Sequence, residues 1–150
     1  MMSKTAFIVE DTDANRDFFE RLLTQAGFDV KSASTGKEAL AKISTIDRLD
    51  MAIVDMEMPD CSGLHLITQL HKSHPNTFTI IATMHDERHL MESAFDKGCN
   101  LFLVKPHGFM ELFQLVTQND LETLSARPAH VLDQYGLRPF HTSSNANSAG

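Results

Sequence analysis

A chain of 150 residues has the usual length of one domain, and a domain of that size buries about 70% of the surface its unfolded chain exposes. With 42% hydrophobic and 22% charged residues it lies far from the composition of disordered chains, so a self-folding globular unit is expected. The formal net charge of −7 repels phosphate backbones and argues against direct nucleic-acid binding.

The longest apolar runs, such as Thr5–Val9 and Leu101–Val104, are far shorter than the ~20 residues of a membrane span. The start Met-Met-Ser-Lys is followed by no signal-peptide core, so a soluble, cytoplasmic protein without a membrane partner is expected. Cys61 and Cys99 lack the CxxC or Cys/His spacing of metal and redox sites and read as reduced thiols.

In chain order, Thr5–Val9 reads as a strand buried on both faces that stops at Glu10 and Asp11. Asp13 is suited to cap a helix whose apolar positions Ala14, Phe18, Leu22 and Ala26 recur every four residues, with Gly27 as its stop. The unit recurs: residues 28–33 read as a strand, 34–36 as a turn, and 37–46 as a helix with Leu40 and Ile43 inward. A third strand over 51–54 ends at Asp55. A loop containing Pro59 follows, then a helix over 64–74 stopped by Pro75. Residues 77–83 give a fourth strand, 87–97 a helix ended by Gly98, Leu101–Val104 a fifth strand, and 109 to about 124 a last helix.

Continuously apolar strands alternating with helices imply a parallel sheet covered on both faces by right-handed crossovers. The expected fold is α/β, an open doubly wound, flavodoxin-like sandwich of five parallel strands in the order 2-1-3-4-5 with five helices. The domain is expected over residues 1–124. Residues 125–150 are expected to be a C-terminal tail, a linker or partly disordered end in which Val131, Leu132 and Tyr135 have the makings of a short helix.

Ligands of such sheets bind outside the carboxyl ends of the strands. Here those ends are polar: Glu10 and Asp11 after the first, Asp55 after the third, Thr83 after the fourth and Lys105 after the fifth. Three carboxylates brought together raise one another's pKa unless a cation neutralises them. Oxygen ligands with no cysteine nearby suit Mg²⁺ better than Zn²⁺ or a full Ca²⁺ cage. An Asp nucleophile beside Lys and a hydroxyl fits phosphoryl transfer. No Walker loop or GxGxxG turn is present, so the phosphoryl group is expected to arrive on a partner rather than on bound ATP.

The segments Ile8-Val-Glu-Asp11, Ile53-Val-Asp-Met-Glu-Met-Pro59 with Gly63, Ile80-Ile-Ala-Thr83 and Leu103-Val-Lys-Pro106 resemble the four signature blocks of response-regulator receiver domains of two-component signal transduction. The resemblance covers residues 5 to about 124. It implies Asp55 as phosphoacceptor, Asp11 as a direct Mg²⁺ ligand, Glu10 as a ligand acting through water, and the backbone carbonyl of Glu57 as a further ligand. It implies that Thr83 and Lys105 contact phosphoryl oxygens, that Thr83 and Phe102 form the switch, and that the bond before Pro106 is cis. It further implies a signalling domain rather than an enzyme. The implied partners are a histidine kinase or histidine phosphotransfer protein as donor and a downstream protein target. That target would be met at the face of the fourth helix, fifth strand and fifth helix, and a phosphorylation-dependent dimer is compatible with this.

The chain departs from the common pattern at Glu10, where Asp is commoner, and at Phe102, where Tyr would add a hydroxyl. Glu57 and the bulky Met84 stand at the site mouth and are expected to tune rates.

Bland readings stand beside these. Asp11 and Asp13, taken singly, are ordinary loop-start carboxylates. The pairs His71/His74 and His85/His89 have helical ligand spacing but no third ligand, so solvated surface is the simpler reading. Two other functions compete: a phosphate-independent scaffold, and a Mg²⁺-dependent phosphatase of small substrates, for which the strand-end loops are short.

Overall fold

The computed structural model describes residues 4–141. Four apolar segments form the middle of its sheet: β1 (Thr5–Val9), β3 (Met51–Asp55), β4 (Phe78–Thr83) and β5 (Leu101–Val104). β2 (Asp29–Ala33) lies outside β1, and its alternating exposure marks it as an edge strand. Between the strands run α1 (Asp13–Gln25), α2 (Gly36–Ile43), α3 (Gly63–Ser73) and α4 (Arg88–Asp96), followed by α5 (Phe109–Gln118) and α6 (Leu121–Ser125). β6 (His130–Asp133) and β7 (Gly136–Pro139) complete a sheet in the order β2-β1-β3-β4-β5-β6-β7.

Because side chains alternate across a strand, each central strand feeds two cores. Phe7, Val54, Ile81 and Phe102 meet Ile43, Leu66, Leu70 and Ala94 from α2, α3 and α4. Ile8, Ile53, Ile80 and Leu103 meet Phe19, Leu23, Leu112 and Leu121 from α1, α5 and α6. This is the expected doubly wound α/β class with the order 2-1-3-4-5 at its centre. Among the described residues, no helix is long and apolar enough to cross a membrane.

Among the described residues the element count differs from expectation, seven strands and six helices against five and five. The last helix does not run unbroken to 124. Asn119 turns extended, and Asp120 starts a new helix by accepting the Thr123 N–H at 2.7 Å. Nor do Val131 and Leu132 form a helix. With Asp133 they are the buried residues of β6, which pairs parallel to β5 and antiparallel to β7. The hairpin turn is set by Asp133, whose carboxylate accepts the Tyr135 N–H at 2.9 Å, and by Gly136 at φ 95°. The Ser/Asn-rich end of the expected tail, residues 142–150, lies outside the described residues.

Two inward faces also differ. In α1 the buried side chains are Phe19, Leu22 and Leu23, while Phe18 is 46% exposed and Ala14 is exposed. In α2 Ala39 and Ile43 face the core and Leu40 does not. A strict four-residue spacing drifts off the 3.6-residue helical face, and adjacent apolar pairs leave the choice to the packing partner. Asp13 is not the cap of α1; Thr12 holds that position, and Asp13, in the first turn, bonds Arg16.

Candidate functional site

The carboxyl ends of β1, β3, β4 and β5 converge on one edge of the sheet. Glu10 and Asp11 follow β1, Asp55 ends β3, Thr83 ends β4 and Lys105 follows β5. Parallel pairing in register is what brings them together: Val9 lies beside Val54, Asp55 beside Ala82, and Thr83 beside Val104.

Glu10, Asp11 and Asp55 each offer a carboxylate oxygen within 4.8 Å of the others. Glu10 is 2% exposed and Asp55 8%, whereas Asp11 faces solvent. Lys105, also 8% exposed, enters from the other side. Its Nζ lies 3.1 Å from Glu10 Oε1 and 3.4 Å from Asp55 Oδ2. One ammonium thus faces three carboxylates. Burial, and then a hydrogen bond with Asp55, push the Glu10 carboxyl up to about 7, against the pull of Asn15 and Lys105. A cluster of oxygen donors this short of positive charge fits a hard divalent cation, and the donor set suits Mg²⁺.

The loops around the cluster are tied to their own strand ends. Asp55 Oδ1 accepts the Glu57 N–H at 3.0 Å, and Thr83 Oγ1 accepts the His85 N–H at 3.2 Å. The β3–α3 loop is anchored by Asp60, whose carboxylate accepts the N–H groups of Gly36 and Lys37 at 2.7 and 2.9 Å. Those two bonds hold the Asp60 pKa below its ordinary value. Gly63 is required by close approach, because a Cβ there would lie 2.3 Å from the Asp55 carbonyl oxygen. The Lys105–Pro106 bond is cis.

Phe102 is fully buried in β5, in the core against α4. Met84 is 75% exposed. The Glu57 side chain reaches to His85 Nε2, at 2.6 Å from Oε1. Three neighbours were missed from sequence: Asn15, whose amide donates to Glu10 Oε1 at 2.9 Å; Arg16, which donates to the Glu10 carbonyl at 3.0 Å; and His85. Asn15 and Arg16 lie on the first turns of α1, where polar residues read as solvated surface. The histidine pairs form no metal cluster among the described residues, and Cys61 and Cys99 are free.

A concavity of about 800 Å³ lies at the opposite, amino end of the strands, beside Lys4, Asp50, Asn100 and Leu121. Its charges are already paired, Lys4 with Glu122 at 3.8 Å and Arg48 with Asp50 at 2.9 Å. The reactive groups are at the carboxyl edge, not there.

Residues 6–117 match the family described as the response regulator receiver domain. The chain belongs to the response-regulator receiver family. Receiver domains are signalling modules that accept a phosphoryl group on aspartate and bind Mg²⁺ in an acidic pocket. The chain is 34% identical over 116 residues to the DNA-binding transcriptional regulator NtrC of Klebsiella pneumoniae, covering 77% of this chain and 24% of that protein. It is 29% identical over 106 residues to the chemotaxis protein CheY of Thermotoga maritima, covering 70% of this chain and 88% of that one. A CheY-like receiver structure from Methanospirillum hungatei JF-1 superposes with a TM-score of 0.74 at 26% identity, over 82% of this chain and 97% of that one. The chain spans 24–29% of the length of longer curated relatives such as NtrC.

Proposed function

We propose that this receiver takes a phosphoryl group on Asp55 from the phosphohistidine of a histidine kinase or phosphotransfer protein and thereby changes its protein contacts. One observation carries the reading: Asp55, alone among the cluster, closes a buried strand with one oxygen toward Lys105 Nζ and the other on the Glu57 N–H. An Asp55 oxygen attacks phosphorus, the bond from phosphorus to the donor nitrogen breaks, and the electron pair leaves with the imidazole. Lys105 pairs with a phosphoryl oxygen, and the Thr83 hydroxyl donates to another.

Glu10, Asp11, Asp55 and the Glu57 carbonyl would hold Mg²⁺, Glu10 through water. The ion supplies positive charge that offsets the repulsion between the carboxylates and the incoming phosphoryl group. Glu57 and Met84 tune access of donor and water. The switch runs through Thr83 and the ring of Phe102, which carries no hydroxyl and so acts by packing. The responding surface is the α4–β5–α5 side of the molecule, where the β6–β7 hairpin pairs onto β5 and covers its edge, and it meets a downstream protein or a second copy in the cytoplasm.

Incubation with acetyl phosphate should add one phosphoryl group in Mg²⁺ and none in EDTA, read by intact mass. Labelling that ignores Mg²⁺, or that persists undiminished in Asp55→Asn, would overturn the reading.

A further inference from the structure

The β6–β7 hairpin ends in a strap across α4. Phe140 is buried with its ring 4.9 Å from Phe95 of α4, and the Arg88 guanidinium lies 4.7 Å from the ring centroid. Arg88 also donates to the His141 carbonyl, while the Phe140 N–H donates to the Ala129 carbonyl at 2.8 Å. The strap is thereby fixed to the hairpin on one side and to the head of α4 on the other.

That head is close to the chemistry. Arg88 is the first residue of α4, separated from Thr83 by the four residues of the β4–α4 loop. Of α4 itself Met91 and Ala94 are buried and Leu90 and Phe95 are partly buried against the same core, to which Phe140 adds its ring from the hairpin. Phe95 in turn lies 6.5 Å from the ring of Phe102, which makes a row of rings from inside β5 to the end of the hairpin.

We propose that Phe140 is a positioning residue, clamping Arg88 and Phe95 so that the C-terminal hairpin sets how readily the β4–α4 loop closes Thr83 onto a phosphoryl group at Asp55. This rests on the reading of Asp55 as phosphoacceptor. In the structure Thr83 is held by its own loop, through the His85 N–H. Bringing Thr83 toward Asp55 draws the loop and the head of α4 with it, and the strap resists. Releasing the strap therefore favours the closed arrangement, and by linkage closure loosens the strap.

The test uses the full chain. Phe140→Ala should raise the initial rate of Asp55 labelling by acetyl phosphate and tighten Mg²⁺-dependent beryllofluoride binding, each by about fivefold or more. Arg88→Ala, at an exposed side chain, should act in the same direction and serves if Phe140→Ala does not fold. Phe140→Tyr, which keeps the ring, should return both values to those of the wild type. Beryllofluoride should speed hydrogen exchange at the Phe140 amide.

Unchanged or slowed labelling in the folded variants, with Phe140 exchange indifferent to beryllofluoride, would overturn the proposal and leave the strap as core packing. Labelling that fails to map to Asp55 at all would instead remove the reading on which it rests.

Discussion

Lys105 and Asp55 stand 50 positions apart in sequence, yet Lys105 Nζ lies 3.4 Å from Asp55 Oδ2 and 3.1 Å from Glu10 Oε1. The ammonium is the one side-chain cation in direct contact with the two buried carboxylates among the described residues. Replacing it by a neutral side chain of similar length should have two opposite effects. Lys105→Met should bind Mg²⁺ more tightly by calorimetry, because a competing charge is gone. It should also accept phosphoryl groups at least about tenfold more slowly, because a charge-assisted contact to the phosphoryl oxygen is lost. Weaker Mg²⁺ binding in this variant would contradict the placement of Lys105.

Glu10 makes the site pH-sensitive in a stated direction. Its carboxyl is pushed up to about 7 by burial and by Asp55, so the folded, metal-free protein keeps a proton there that the unfolded chain, at the ordinary value of 4.5, has released. A raised carboxyl pKa costs nothing below 4.5; the cost grows between 4.5 and about 7 and is complete above it. For this one group the metal-free protein therefore loses stability as pH rises through that window, by at most about 1.4 kcal/mol per pH unit. Mg²⁺ binding displaces the proton, so its affinity should fall as pH drops below about 7. The Tm increase on adding Mg²⁺ should be clearly larger at pH 8 than at pH 6, and an equal increase at both would refute the linkage.

Gly63 sits against the backbone at the end of β3, where Asp55 stands. A Cβ there would meet the Asp55 carbonyl oxygen at 2.3 Å and the Met56 Cα at 2.9 Å, both backbone atoms that cannot swing away. Gly63→Ala should cost about 1–3 kcal/mol in denaturant unfolding and slow labelling of Asp55 as well. A variant as stable and as reactive as the wild type would show that the loop yields.

The hairpin is part of the core rather than a tail. Leu132 is fully buried and packs where Gly108 leaves room, since a Cβ at Gly108 would come within 2.6 Å of Leu132 Cγ. Leu132→Ala should cost about 2–5 kcal/mol. Tyr135→Ala, at the exposed turn, should stay within about 0.5 kcal/mol. Equal effects at the two positions would mean that β6 is dispensable.

What was legible in the sequence follows from how local each signal is. The central strands announce themselves as apolar runs closed by acid, hydroxyl or Lys, and their alternation with helices makes the sheet parallel with its carboxyl ends on one edge, so the site edge could be assembled from residues 10, 11, 55, 83 and 105. The hairpin was obscured because β7 is short, exposed and ended by Pro139, with little apolar pattern of its own. Its signal was the turn chemistry of Asp133 and Gly136 between Leu132 and Leu137. The inward faces of α1 and α2 depend on which neighbour arrives, as the exposed Phe18 beside buried Phe19 shows. Asn15 and His85 were out of reach for the same reason: each matters only through a partner brought by the fold, Glu10 for one and Glu57 for the other.

Whether Asp55 carries the phosphoryl group is decided by site mapping. After reaction with acetyl phosphate and Mg²⁺, proteolysis and peptide mass spectrometry should place the single phosphoryl group on Asp55 and on no other carboxylate, with none on Glu10 or Asp11. A phosphoryl group found on another residue, or none on the wild-type chain under conditions where it binds Mg²⁺, would contradict the account.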